Sequence, residues 1–312
     1  MKKFLVKLVI YVVILSSIAL CINEMYRHQH NEADKFVEGV PSGIQICNFG
    51  SSHGGAFNYI DVKDKYVCFN FAMGGQSLPY DCRILENYKD NLQAGAIVFI
   101  IISDFSFFGV DDPETKDFAS KNRRYYRFLR PELIQHYDAK TNFYVNYFPA
   151  IADGNIVSLF EHIYSFLCPP HENSQTTKFN HDKALSQVVG VYSRHIASHV
   201  APSGQRIYKH DAHKAVYDMI NMCRERNCRP ILVTTPYARD YIDFVRENDP
   251  KFFADFYNAI SEVVKNTGVE YYDYSHDERY TDDYAVFADN DHMNREGARL
   301  FTNTLLREVL GI

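Results

Sequence analysis

The sequence contains no tryptophan, no internal repeat and no low-complexity tract. The missing repeat excludes solenoid and array architectures. There is no basic block either: net charge is -6, which argues against nucleic acid as the main partner. Seven cysteines, at 21, 47, 68, 82, 168, 223 and 228, fall at no metal-ligand spacing. They are too sparse for a disulfide-dense framework. Cys47 and Cys68 sit in apolar strand-like runs, so buried free thiols are expected, with Cys223 and Cys228 spaced for a local pair. Asp282, Asp283, Asp289 and Asp291 miss the EF-hand calcium pattern, and no cofactor is expected.

What is present is a chain of 312 residues, 46% hydrophobic and 23% charged, able to bury a sizeable core. The 23 Tyr and 23 Phe are compatible with a polar groove for a sugar or headgroup, and equally with half-buried structure. Phe4 to Ile22 is an almost unbroken apolar run, long enough at about 1.5 Å per residue to approach the hydrocarbon thickness of a bilayer. Lys2, Lys3 and Lys7 at its start predict a cytoplasmic N-terminus with the large domain outside. A cleaved signal peptide is the alternative. The long core and the bulky Leu20 before Cys21 favour a retained, single-pass anchor. The expected organisation is 1–22 cytoplasmic start and anchor, 23–42 polar stalk, and 43–312 an extracytoplasmic domain.

Along that domain, Gly43 to Phe49 reads as a strand ending in Gly50-Ser51-Ser52-His53-Gly54-Gly55. Tyr66 to Phe71 is a second strand, closing in Ala72-Met73-Gly74-Gly75-Gln76-Ser77. Ala96 to Ile102 lacks alternation and so reads as a strand covered on both faces, as in a parallel sheet. It runs into Ser103-Asp104-Phe105-Ser106. Further strands are expected at 231–237 and 269–274. Helices are expected at 78–89, 142–167, 211–226, 251–265 and 296–309. The clustered Arg123, Arg124, Arg127 and Arg130 read as a solvated helix face, with an anionic contact as the alternative. Residues 168–204 read as the longest irregular stretch. Separated buried strands alternating with helices predict an α/β fold, a three-layer sandwich with a mostly parallel central sheet behind one N-terminal transmembrane helix.

Chemistry concentrates at two places. Small residues at the first strand end deliver Ser51, Ser52 and His53 to the carboxyl edge of the sheet. In the last loop, Asp289 and His292 are three apart, so the carboxylate can accept the Nδ1 proton and leave Nε2 to face a hydroxyl. Asp-x-x-His alone has little specificity, since a capped helix start also explains it. His53 beside the serine suits substrate contact or capping of the turn. Asp291 suits a polar neighbour or a helix cap, and Asp104 a partner for loop amides.

The combination resembles the SGNH/GDSL hydrolase superfamily, and within it the membrane-anchored DltD-like branch of cell-envelope acylation. The resemblance makes Ser52 of Gly50-Ser51-Ser52 the nucleophile, with Asp289 and His292 completing the catalytic set. Asn70-Phe71-Ala72-Met73-Gly74-Gly75 matches an Asn-x-Gly-x-x-Gly block, with Ala72 in place of the first glycine and Gly75 as the oxyanion donor. The third block departs: Ser103-Asp104-Phe105-Ser106 has no asparagine. The hole then rests on the Ser52 and Gly75 amides, with Gln76 or Ser103 as helpers.

The resemblance implies serine-dependent O-acyl transfer or ester hydrolysis on a cell-envelope glycan or teichoic-acid-like polymer, D-alanylation being the DltD-type case. It also implies a multi-span membrane acyltransferase as partner. A catalytically weak or inactive SGNH-like module that binds glycan or scaffolds a membrane complex is the alternative.

Overall fold

The computed structural model describes residues 2–27, 32–109, 122–152, 164, 178–201 and 203–311. The chain divides into two compact units, one made of residues 1–38 with 113–176, the other of 39–112 with 177–312.

The second unit is built on five parallel strands: β1 (Ile44–Phe49), β2 (Cys68–Asn70), β3 (Leu92–Ile101), β4 (Arg229–Thr234) and β5 (Glu270–Asp273). Their order is β2-β1-β3-β4-β5. Every neighbouring pair is parallel, with Cys47 beside Val98 and Phe99 beside Ile231 in the registers. The unbroken apolar run in β3 is explained by burial on both faces. Ile46, Phe99, Ile101, Ile231 and Val233 face a core completed by Phe57 and by Phe301 and Leu305 of the final helix, Arg295–Leu310. The alternate residues Cys47, Val98 and Leu232 are also fully buried, and burial and the nearby Cys223 push the Cys47 thiol up. Cys223 belongs to helix His210–Glu225, which packs against β4 and against helix Leu78–Tyr88. Helices therefore cover both faces, and the fold is the three-layer α/β sandwich with a parallel sheet. Each large side chain buried in these layers contributes about 1.5–3 kcal/mol.

Several differences from the sequence reading matter. Residues 168–204 are not irregular throughout, because His181–His195 is a helix capped by Asn180, with Ala184, Val188 and Val191 buried. A further helix, Arg239–Asn248, follows β4. Of the helical stretch expected at 142–167, Ala139–Tyr147 and Pro149–Ala152 are helical, and most of the remainder lies outside the described residues. Cys223 and Cys228 do not pair. All six described cysteines are free, and Cys168 lies outside the described residues.

The first unit carries helix Lys2–Arg27, whose segment Lys3–Glu24 contains an 18-residue window with a mean hydropathy of 2.6 and no burial. It is long and apolar enough to cross a bilayer. The short helix Asp34–Glu38 stacks Phe36 on Phe128 at 4.0 Å. Arg127 reaches Asp34 at 2.7 Å, Arg130 lies 3.5 Å from Glu132, and Arg124 lies 3.9 Å from Glu32. Three of the four clustered arginines thus face carboxylates of their own unit.

Candidate active site

The sheet order reverses direction at one place. β1 connects outward to β2 on one side, while β3 leads through β4 to β5 on the other. The crevice beyond the carboxyl ends of β1 and β3 is the topological switch point, where α/β sheets bind ligands. The turn after β1 carries Ser51, Ser52 and His53, and the turn after β3 carries Ser103 and Asp104.

Buried amides hold the first turn in place. The Asn48 amide at the end of β1 donates to the Gly54 carbonyl at 3.1 Å and to Asn70 Oδ1 at 2.9 Å. Asn70, at the end of β2, donates to the carbonyls of Gly54 and Phe57, and its Oδ1 accepts from the Ala72 amide. The Tyr59 hydroxyl closes the network on Asn48 Oδ1 at 3.0 Å. Two glycines make the turn fit. A Cβ on Gly50 would lie 2.7 Å from Ile101 Cβ, and one on Gly54 would lie 2.2 Å from Ala72 Cβ. Ala72, in place of the first glycine of its block, is thus accommodated by Gly54.

The last loop is held as firmly. The Asn290 amide donates to the Ala184 carbonyl, and the Asn290 carbonyl accepts from the Ala238 amide. Asn294 caps the final helix through the amides of Glu296 and Gly297. Asp289 Oδ1 accepts the backbone amides of Asp291 and His292, folding the loop back on itself.

These constraints bring Ser52 and His292 together. Ser52 Oγ is 2.7 Å from His292 Nε2, and His292 Nδ1 is 2.9 and 3.1 Å from the two Asp289 oxygens. The orientation is that of a serine whose proton can pass to an imidazole held by a carboxylate. Ser52 and His292 are half-buried, so the hydroxyl is reachable.

A second carboxylate, Asp291, lies beneath this pair with its side chain only 1% exposed. Asp291 Oδ1 is 3.3 Å from His292 Nδ1, while Oδ2 is 3.1 Å from His53 Nε2 and 3.2 Å from His195 Nε2. Three imidazoles therefore surround one buried carboxylate. Burial would raise the Asp291 pKa, but the close approach of the His195, His292 and His53 rings overcomes it and holds the carboxyl well below its usual range. Burial likewise opposes charging His292, but hydrogen bonds to Asp289 and then Asp291, with both charges, raise it to about 10. His53, wholly enclosed, is lowered by burial to about 4 and so is neutral at neutral pH. In that state its Nε2–H donates to Asp291.

The other expected contact residues are placed as follows. His53 is buried on Asp291, with Phe105 and Tyr237 edge-on to its ring at 5.3 and 5.6 Å, so it neither caps the turn nor lies at the surface. Gln76 is buried and donates to the Gly50 and Phe71 carbonyls and to Asp81. Gly75 is exposed, with φ 63°. Ser103 is buried, 3.5 Å from Ser51 by their hydroxyls, and its amide donates to Ser106. Asp104 is fully buried, accepting from the Tyr241 hydroxyl at 2.6 Å, and its amide donates to the Tyr237 hydroxyl. Burial pushes its carboxyl up to about 6 against that hydrogen bond.

Sequence reasoning missed the deeper layer. His195 sits at the end of a helix read as loop, and its ring stacks on Phe105 at 4.3 Å. The recoverable signal was Asn180 as a cap, followed by Ala184, Val188 and Val191 on one face. His53, Asp291 and His292 offer ligand atoms within 4.8 Å of one another, a spacing that a metal ion could bridge. In the structure His53 Nε2 is paired with Asp291 Oδ2, and the two ring nitrogens of His292 are engaged by Asp289 and Ser52.

Residues 215–298 match the model of the DltD protein family. The matched stretch takes in Asp289, Asp291 and His292 but not Ser52. No curated protein matches the chain. Among solved structures, one from Bacteroides fragilis described as a "putative acylhydrolase" is 12% identical with a TM-score of 0.38, over 90% of this chain and 97% of that one. The family match supports a distant DltD-like relationship.

Proposed function

We propose that this protein is a serine-dependent acyl-transfer enzyme of SGNH type. The observation that carries this reading is the 2.7 Å pairing of Ser52 with a histidine whose other nitrogen rests on Asp289. Ser52 Oγ attacks the acyl carbon of a donor while its proton passes to Nε2 of neutral His292. The leaving group takes that proton as the donor's bond breaks, and an acyl-serine ester remains. An acceptor hydroxyl or water then gives its proton to Nε2 and attacks the ester, and that proton passes to Ser52 Oγ as the acyl–serine bond breaks, restoring Ser52 and neutral His292. Removing such a group lowers rates by several orders of magnitude.

The acceptor in this reading is a cell-envelope glycan or teichoic-acid-like polymer, and the donor side is a multi-span membrane acyltransferase. The distant likeness to DltD-type proteins and the apolar helix with Lys2, Lys3 and Lys7 at its start support both. By the same charge bias the sheet-bearing unit is extracytoplasmic.

A serine-reactive fluorophosphonate tests the chemistry. Wild-type protein is expected to take the label, with loss in Ser52→Ala and His292→Ala. Folded wild-type protein that never labels would overturn the enzymatic reading in favour of a binding module.

A further inference from the structure

The unit that carries the apolar helix also carries an exposed aromatic cluster. Phe143, Tyr147 and Phe148 are 50%, 59% and 38% exposed. Phe143 is the hub, with ring centres 5.7 Å from Tyr144, 5.2 Å from Tyr147 and 5.7 Å from Phe148. Lys140, Phe143 and Tyr147 recur at i, i+3 and i+7 of helix Ala139–Tyr147, so they share one stripe. Lys140 is exposed as well. Contiguous exposed aromatic surface of this kind is uncommon on soluble proteins unless it meets something.

One hydrogen bond fixes the height of this cluster relative to the apolar helix. The candidate span runs Lys3–Glu24. Asn23, in its last turn and 6% exposed, donates through its amide to the Tyr147 carbonyl at 2.7 Å. The following helix, Pro149–Ala152, packs against helix Lys2–Arg27. Twenty-two residues of helix give roughly 33 Å, about the thickness of the hydrocarbon core. The aromatic cluster is thus tied to the residue where the span leaves hydrocarbon, the level at which tyrosine and other amphipathic rings accumulate.

We infer that the Phe143–Phe148 aromatic face docks into the headgroup–acyl boundary of the bilayer beside the exit of the apolar helix. The rings enter to a depth of roughly 5–10 Å, as interfacial helices do. Lys140, on the same stripe, lays its stem along the rings and places its ammonium among lipid phosphates. The inference rests on reading Lys2–Arg27 as a span, and its occupant is lipid.

The absence of tryptophan gives a clean test, because Phe143→Trp makes a single-tryptophan protein. The full chain would be reconstituted into phosphatidylcholine–phosphatidylglycerol vesicles with bromines either near the glycerol backbone or near the chain ends. The expected result is blue-shifted emission, quenched most by the shallow bromines and little by aqueous iodide. Tyr147→Trp, measured alongside, guards against a local fault at one position. Emission at long wavelength with strong iodide quenching would overturn the inference. So would blue-shifted emission that brominated lipid does not touch, which would assign the face to protein. Flotation with the vesicles tests the span separately. Protein that floats without bromine quenching refutes only the docking, whereas protein that fails to float removes the span and the docking with it. Neither outcome bears on fluorophosphonate labelling of Ser52.

Discussion

Replacing Asp291 by asparagine should make Ser52 react faster at neutral pH and slower at alkaline pH. His292 is raised from 6.5 to about 10 by two carboxylates, and Asp291 is the second contributor after Asp289. Neutral His292 is the form that accepts the serine proton, so the wild-type rate should climb with pH towards that raised value. At 3.3 Å from Nδ1, a full charge interacts with the imidazolium by about 5 kcal/mol at an effective dielectric of about 20. Solvent reaches part of His292, and Asp289 remains in place, so the net displacement should be smaller. A fall of about 1–2 pKa units, or about 1.4–2.7 kcal/mol, is the working magnitude. At pH 7 this enriches the neutral imidazole about 10–100-fold, and its weaker basicity returns roughly half of that gain on a logarithmic scale. Labelling at pH 7 should then rise about 3–10-fold, and the plateau at high pH should fall by a similar factor.

The assay is the pH dependence of fluorophosphonate labelling, with circular dichroism showing that the variant is folded at each pH. The signature is two curves that cross. Asp289→Asn provides the contrast. It removes the nearer acceptor that sets the ring's tautomer, so labelling should fall at every pH, by as much as ~10⁴-fold. If Asp291→Asn lowers labelling in parallel at every pH without moving the midpoint, the charge argument is refuted, and Asp291 is then only a packing element of the loop.

Asp104 should cost stability as pH rises. Its carboxyl ionises at 3.8 when unfolded but at about 6 in the fold, so its contribution is present below pH 4 and is lost through pH 6. Asp104→Asn should therefore gain on wild type by up to ~3 kcal/mol between pH 4 and pH 7. Urea melts at both pH values measure this, and an equal difference at the two would count against it. Gly54→Ala places a methyl group 2.2 Å from Ala72 Cβ, and overpacking of this kind costs about 1–3 kcal/mol. Because Gly54 lies two residues from Ser52, the melting temperature and the labelling rate should fall together. A variant as stable as wild type would mean that the two turns separate freely.

The strands were legible because burial on both faces removes the need for alternation, and the 96–102 run shows that directly. The serine turn and the Asp289–His292 spacing were legible for a related reason. Each is a short local pattern whose geometry follows from one turn of chain. The layer beneath was not. His53, His195 and Asp291 come from three separate elements, and nothing local in the chain says that three imidazoles will share one carboxylate. Reading 168–204 as loop hid His195, because the abundance of polar residues there obscured a weak apolar stripe of Ala184, Val188 and Val191. His53 shows the limit of adjacency: next to Ser52 in sequence, it turns inward, where the side chains of Phe105 and Tyr237 enclose it.

That deeper layer also gives the departure in the third block a physical sense. Where the resembled family places an asparagine towards the reacting oxygen, this chain has Ser103, Asp104 and Phe105, and each is engaged by neighbouring side chains. Ser103 faces Ser51, Asp104 is tied to Tyr241 and Tyr237, and Phe105 stacks on His195 while meeting His53 edge-on. Every ring that Phe105 touches in this way lies against Asp291. The strand end therefore braces the imidazoles that keep the second carboxylate ionised, and that carboxylate in turn raises His292. A change at Phe105 should then act on the same quantity as Asp291→Asn, the pH at which His292 gives up its proton, through a chain of contacts that passes through His195 and His53.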